Sequence, residues 1–269
     1  MGLIYLKVGI PRALLYYYYF PFWKTLFEQL GFEVVVSDET SKEMVNKGIK
    51  ITVQEICVPI KVFNSHVLNL IEKNVDYIFI PRMVSIRKRE TFCPKFLGLP
   101  DMSRRVFAEY SDRILSPKIR CGTNKINDVK SYKEMARKLG VSNFKLRKAV
   151  KEAEKALTET RKLSMKGYSL NDILHNNLTE RNGVEMISPN TVNIGLMGYV
   201  YNIYDNFLSM DVITKFRNMG VNIVTFEMLP EETLLGKLNV LRKRLFWTFS
   251  NYLLGAGFYF RDNEQIDGI

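Results

Sequence analysis

Apolar and polar positions along this chain sort into strand–helix–strand blocks. LKVGI (6–10) is a short apolar run closed by Pro11. ALLYYYYFPFWKTLFEQL (13–30) has helical length with Pro21 inside it, which predicts a helix that starts or kinks at that proline. Gly31 ends it, and FEVVVSDE (32–39) follows as a buried strand. Short loops joining strand, helix and strand are the signature of a parallel α/β sheet. The pattern returns in NIGLMGYVYNIYDNFLSMDVITKFRNMGVNIVTFEM (193–228): a Gly-containing strand leads through an amphipathic helix to Gly220 and a second strand. Gly9 aligns with Gly195, and LGFEVVVSDE with MGVNIVTFEM, with only a few residues of slippage. The expected fold is α/β, two Rossmann-like halves with parallel sheets and a cleft between them. Chance likeness between any two such units is the competing explanation.

Between the copies, SKEMVNKGIK (41–50) reads as a short helix ending at Gly48. Cys57 opens the helical stretch VFNSHVLNLIEKN (62–74), and DYIFIP (76–81) is a strand ending at a proline. From Asn143 onward the chain is rich in Lys, Glu and Ala at helical spacing, the pattern of a solvated connecting helix. The predicted organisation is a first Rossmann-like domain over 1–130, a helical connector over 131–190 and a second Rossmann-like domain over 191–269. LFWTFSNYLLGAGFYF (245–260) is 16 residues long and contains Asn251, so it predicts a buried helix rather than a membrane span. The closing NEQIDGI looks like the start of a core strand, which predicts a second Rossmann-like domain truncated at the C-terminus, a short member of a longer family.

Composition is globular, 46% hydrophobic over 269 residues. Lys and Arg number 39 against 28 acids, a net +11 that fits nucleic acid, an acidic partner, a phosphate-rich ligand such as a coenzyme A ester, or a plain lysine-rich surface. The basic face of the long helix (Lys145, Arg147, Lys148, Lys151) comes without helix-turn-helix, RNA-recognition or zinc-finger spacing, so nucleic acid is not the expected partner. The N-terminus has no basic and apolar leader pattern, and Leu6 stands where myristoylation needs Ser or Thr. Three cysteines exclude a disulfide scaffold and point to reduced thiols in a cytoplasm, with no membrane partner. Oligomeric state stays open.

ICVPIK (56–61) and FCPKF (92–96) resemble each other: a cysteine, a proline within two positions and a lysine soon after. Both lie at the ends of predicted elements, where parallel α/β sheets build sites. Cys57, Cys93 and Cys121 are too far apart in sequence for a C-x-x-C zinc site, but loops meeting in a fold could hold an iron–sulfur cluster between them. Three thiolates on a four-iron cluster would leave one iron open. Three unrelated buried cysteines is the other reading, and Cys121, in KIRCGTN, lacks the motif the other two share. His66 and His175 sit in no triad pattern, and His66 reads first as a helix-packing residue. GIPRA (9–13) lacks the G-x-G-x-x-G turn and no P-loop occurs, so no ATP-binding motif is present. Arg12, facing PRMVSIRKR (81–89), and Lys61 are candidates for an anion such as a coenzyme A phosphate. Asn202, Tyr204 and Asp205 in YNIYDNF form a candidate ligand-facing loop, although helix capping by Asn202 or Asp205 explains them too.

Taken in order, LGFEVVVSDETSK, ICVPIK followed by His66, PRMVSIRKRETFCPKFLGLPDM, GYVYNIYDNFLSM and KRLFWTFSNYLLGAGFYF resemble the activase-related relatives of 2-hydroxyacyl-CoA dehydratases, CoA-substrate-specific enzyme activases of anaerobic bacteria. The resemblance runs over nearly the whole chain. It implies Rossmann-like domains with a four-iron cluster held by cysteines at a cleft, and a separate ATP-hydrolysing activase that injects an electron. Cys57 and Cys93 are the implied ligands. Relatives continue past a segment like QIDGI into a Gly/Cys-containing loop, and they show His or Arg where this chain has Tyr199 and Val200. The implied function is an iron–sulfur protein, of 4Fe-4S type by resemblance, in low-potential electron transfer or acyl-CoA dehydration or reduction. The alternative is a non-enzymatic accessory or cluster scaffold that binds an activase or electron-donor protein. Whether the chain is itself an enzyme stays open.

Overall fold

The computed structural model describes residues 6–122, 125–179 and 186–269, so residues 180–185 of the expected connector lie outside it. The chain divides into two compact units, Met1–Ala156 and Leu157–Ile269.

In the first unit, strand β1 (Lys7–Ile10) leads through helix α1 (Tyr16–Gln29) to β2 (Glu33–Val36). Helices α2 (Lys42–Ile51) and α3 (Val58–Glu72) cross to β3 (Tyr77–Phe79), which is followed by β4 (Arg82–Ser85). Helix α4 (Pro94–Val106) then returns to β5 (Ile114–Leu115) and β6 (Lys118–Arg120), and α5 (Val129–Lys138) and the long α6 (Asn143–Ser164) complete the run. The sheet is parallel, in the order β2-β1-β3-β5, with β4 and β6 paired beyond it. Pro81 and Pro117 explain that division. Neither has an N–H for the ladder, so each long strand breaks there, and the Ile80 and Arg82 amides bridge to the Leu115 and Pro117 carbonyls at 2.9 and 3.0 Å. This is the expected α/β architecture.

The two faces are fixed by alternation. Gly9 pairs with Ile78, and a Cβ on Gly9 would lie 3.0 Å from Leu70 of α3. Phe79 points the other way, onto Trp23 and Phe27 of α1. Phe22 against Tyr132 sets α5 on the α1 face. Right-handed crossovers from β2 to β3 and from β3 to β5 run in the same direction, so α3 and α4 share the opposite face.

Several sequence expectations shift. Helix α1 starts at Tyr16 and runs through Pro21, because its buried Tyr16–Phe20, Phe22 and Trp23 pack on the core and offset the lost hydrogen bond. Strand β2 is half-exposed rather than buried, being the sheet's edge. Gly48 does not end α2; it lets α2 approach α3, since a Cβ there would sit 2.3 Å from the Lys61 carbonyl oxygen.

In the second unit, α7 (Leu170–Leu174) precedes β7 (Asn193–Gly195). The expected single amphipathic helix is two short ones, α8 (Val200–Ile203) and α9 (Val212–Asn218), interrupted by left-handed Met210 and Asp211. Strand β8 (Asn222–Val224) pairs parallel with β7, and α10 (Glu231–Lys237) and α11 (Thr248–Asp262) follow. After α11, Gly268 forms a parallel bridge with Ile194 on the other side of β7. The order is thus β8-β7-Gly268, the counterpart of β2-β1-β3. The aligned glycines keep their roles. Gly31 and Gly220 both take positive φ after a helix, and a Cβ on Gly195 would meet Phe260 of α11 as one on Gly9 would meet Leu70 of α3. Leu245–Trp247 are not part of the buried helix; α11 begins at Thr248 and those three side chains are exposed. Among the described residues no helix is long and apolar enough to cross a membrane.

Candidate functional site at the carboxyl end of the first sheet

The strand order reverses between β1 and β3, and in open parallel sheets ligands enter at the carboxyl ends beside such a point. Arg12 stands there, two residues past β1. Its amide donates to Ser37 Oγ at 2.7 Å, its guanidinium pairs with Glu39 at 2.8 Å, and its buried Nε has no hydrogen-bond partner. Leu14, in the same turn, holds a left-handed φ of 55°, a conformation that costs a bulky residue on the order of 1–3 kcal/mol. Beneath Arg12, His66 is wholly buried, with Nδ1 2.9 Å from Ser37 Oγ and Nε2 3.0 Å from Thr40 Oγ1. Burial first, then the Arg12 charge, pushes its pKa down to about 3, so the ring is neutral. It fastens α3 to the loop after β2.

From His66, α3 continues outward to Cys57, roughly 13 Å further at the helical rise of 1.5 Å per residue. Cys57 is the N-cap of α3, and Cys93 is the N-cap of α4. Each helix carries a proline in its first turn, where the missing N–H costs nothing. Neither side chain makes a capping hydrogen bond; Cys57 is exposed and Cys93 half-exposed. Phe63 of α3 and Phe96 of α4 line one apolar cavity of about 20 Å³, together with Pro11, Tyr16 and Pro81, space for a single water and no ligand. Cys57 and Cys93 therefore cap two helices that both start at the carboxyl end of the sheet. Lys61 Nζ donates to the Gln54 carbonyl at 2.9 Å and steadies the loop leading into Cys57.

Cys121 does not join them. It follows β6 with its amide on the Ser85 carbonyl, but its buried sulfur faces Ser131 of α5 at 3.8 Å, on the other face. Burial pushes that thiol up. Among the described residues no three His, Cys, Asp or Glu side chains gather into a metal-binding group. Cys57 and Cys93 are thus the two thiols at the carboxyl end of this sheet, half of what a Cys₄ cluster needs.

At the carboxyl end of β8, Glu227 is buried and accepts hydrogen bonds from Thr225 and Tyr204 through Oε1, while Oε2 has no partner. Burial raises its carboxyl to about 8. Asp205 is buried and accepts from the Phe207 and Leu208 amides at 3.1 and 3.0 Å, a structural cap, whereas Asn202 is exposed on α8. Sequence reasoning had marked Tyr204 but not Glu227 or Ser37, whose roles depend on burial that no local pattern displays.

A family model described as the CoA enzyme activase uncharacterised domain matches residues 7–229, and the chain belongs to that family. No curated protein and no solved structure matches it.

Proposed function

We propose, with that membership as the premise, that the chain is an accessory iron–sulfur module of a CoA-enzyme system, carrying low-potential electrons rather than turning over an acyl-CoA by itself. The observation that supports this reading is that Cys57 and Cys93 are both helix N-caps at the carboxyl end of the first sheet. Thiolates are the soft ligands that iron–sulfur clusters take, and helix N-termini favour the negative charge of a thiolate-bound cluster. Cys57 and Cys93 would hold the group, which supplies one-electron transfer when bound. Arg12, ion-paired with Glu39, stands at the same end of the sheet.

The donor set fits only in part. With Cys121 turned to α5, the remaining ligands must come from another chain or from small thiols. That shortfall favours an accessory or scaffold role over a self-contained dehydratase or reductase. Purification and reconstitution without oxygen, followed by iron and sulfide quantification, tests the reading. Brown protein with thiolate-to-iron charge-transfer absorbance is expected, and colourless protein that takes up no iron would overturn it.

A further inference from the structure

Strand β5 is the last of its sheet and β6 pairs on one side only, with β4, so the two share an edge that no other strand covers among the described residues. The Leu115 and Pro117 carbonyls accept from Ile80 and Arg82. Backbone direction alternates along a strand, so Ile114, Ser116 and Lys118 turn their backbone groups outward. The Ile114 amide is taken by the Ser111 carbonyl. The N–H and C=O groups of Ser116 and Lys118 make no hydrogen bond among the described residues. A cleft of about 470 Å³ opens at this edge, inside the range of roughly 300–1,000 Å³ typical of ligand pockets. Its walls are Arg104 of α4 and Glu134, Arg137 and Lys138 of α5, with Ser116 and Pro117 between them.

The cations are held in place and only partly neutralised. Arg104 donates to the Ser116 hydroxyl and, at 3.4 Å, to the Ile114 carbonyl. Asp101, already held by Arg82, lies 3.6 Å from it. Lys138 Nζ donates to the Asp112 carbonyl at 2.6 Å, a neutral acceptor, and Arg137 has no ion pair among the described residues. Glu134 is the one acid in the lining, against three cations.

We propose that this edge binds an acidic, extended segment of a partner protein, which adds a strand beside β5 and β6 and sets its carboxylates against Arg104, Arg137 and Lys138. Strand addition gains affinity from main-chain hydrogen bonds and selectivity from alternate side chains. A small anion only accepts hydrogen bonds, so it would leave the outward carbonyls of Ser116 and Lys118 unused; a peptide backbone serves both carbonyls and amides. Successive side chains of an added strand turn to opposite faces, one toward α4 and the next toward α5, so neighbouring acids reach both sets of cations. A second copy of this chain is the poorer occupant, because it would bring the same cations against themselves. Neither cysteine at the helix caps lines the cleft, so the site stands or falls without them.

Fluorescence anisotropy of a dye-labelled octapeptide, pairs of Glu separated by Val, tests this on the whole chain. Binding that weakens as salt rises is expected, and the same peptide with Lys in place of Glu should not bind. N-methylation of alternate peptide amides keeps every charge but removes the donors on one side of the strand. One of the two alternating patterns should weaken binding roughly tenfold and the other should change it little. Arg137→Glu with Lys138→Glu should weaken it roughly tenfold or more. Both side chains are exposed, and unchanged thermal unfolding verifies that the variant folds. Cys57→Ser with Cys93→Ser should leave peptide binding intact. No anisotropy change at millimolar peptide, equal binding by both N-methylated patterns and the parent, indifference to the double charge reversal, or displacement by free succinate at the peptide's own concentration would each overturn the proposal.

Discussion

His66 and Glu227 couple folding to pH in different windows. His66 is neutral when folded, with its pKa pushed down to about 3 by burial and by Arg12, against an ordinary value near 6.5. Between those values the unfolded chain binds the proton and the folded chain does not, so stability is lost as pH falls from 6.5 toward 3. Unfolding free energies from urea titrations across that range should drop, on the order of a few kcal/mol in all, and His66→Gln should flatten this part of the curve. Glu227 does the reverse in direction of titration: its folded carboxyl keeps a proton up to about 8, against 4.5 when unfolded. The folded state binds more protons there, so stability falls as pH rises from 4.5 to 8, and Glu227→Gln should remove that decline. Of these two residues the sequence disclosed one. His66 sits at helical spacing among apolar residues and reads as a packing residue, which its two hydroxyl partners bear out. Glu227, in FEM, looks like any surface acid until the fold buries it.

At the scale of elements, glycines decide how closely the paired helices approach. Gly48 of α2 faces the Lys61 carbonyl of α3, and a Cβ on Gly255 of α11 would collide with the Leu234 carbonyl of α10, so the two units use the same device. Gly48→Ala gains about 1 kcal/mol of helix propensity but forces a methyl into backbone, an overpacking that costs about 1–3 kcal/mol. Carbonyl oxygens cannot swing aside as a side chain can, so a net loss of up to about 2 kcal/mol in chemical denaturation is expected. Gly236→Ala in α10 meets open space and should stabilise by about 0.5–1 kcal/mol in the same assay. The repeat was legible from the strand–helix–strand glycines: Gly9 with Gly195, and Gly31 with Gly220. Gly48 was read as a helix end because spacing alone does not distinguish a terminator from a contact. The broken α8 and α9 escaped notice because YNIYDNFLSM keeps helical spacing while Met210 and Asp211 leave helical backbone.

For the whole molecule, the sequence showed which cysteines share a motif but not which face each one meets. ICVPIK and FCPKF fold alike, as helix N-caps, because cysteine followed by an early proline suits the same position in both helices. Cys121 needed the sheet order and the α5 contact before it could be set apart. Iron content in single-cysteine variants tests this division most directly. After anaerobic reconstitution, Cys57→Ser and Cys93→Ser should each lose most of the iron, while Cys121→Ser should match the wild-type chain. Equal iron in all three variants, or loss on changing Cys121 alone, would contradict the assignment of Cys57 and Cys93 as a shared thiolate edge.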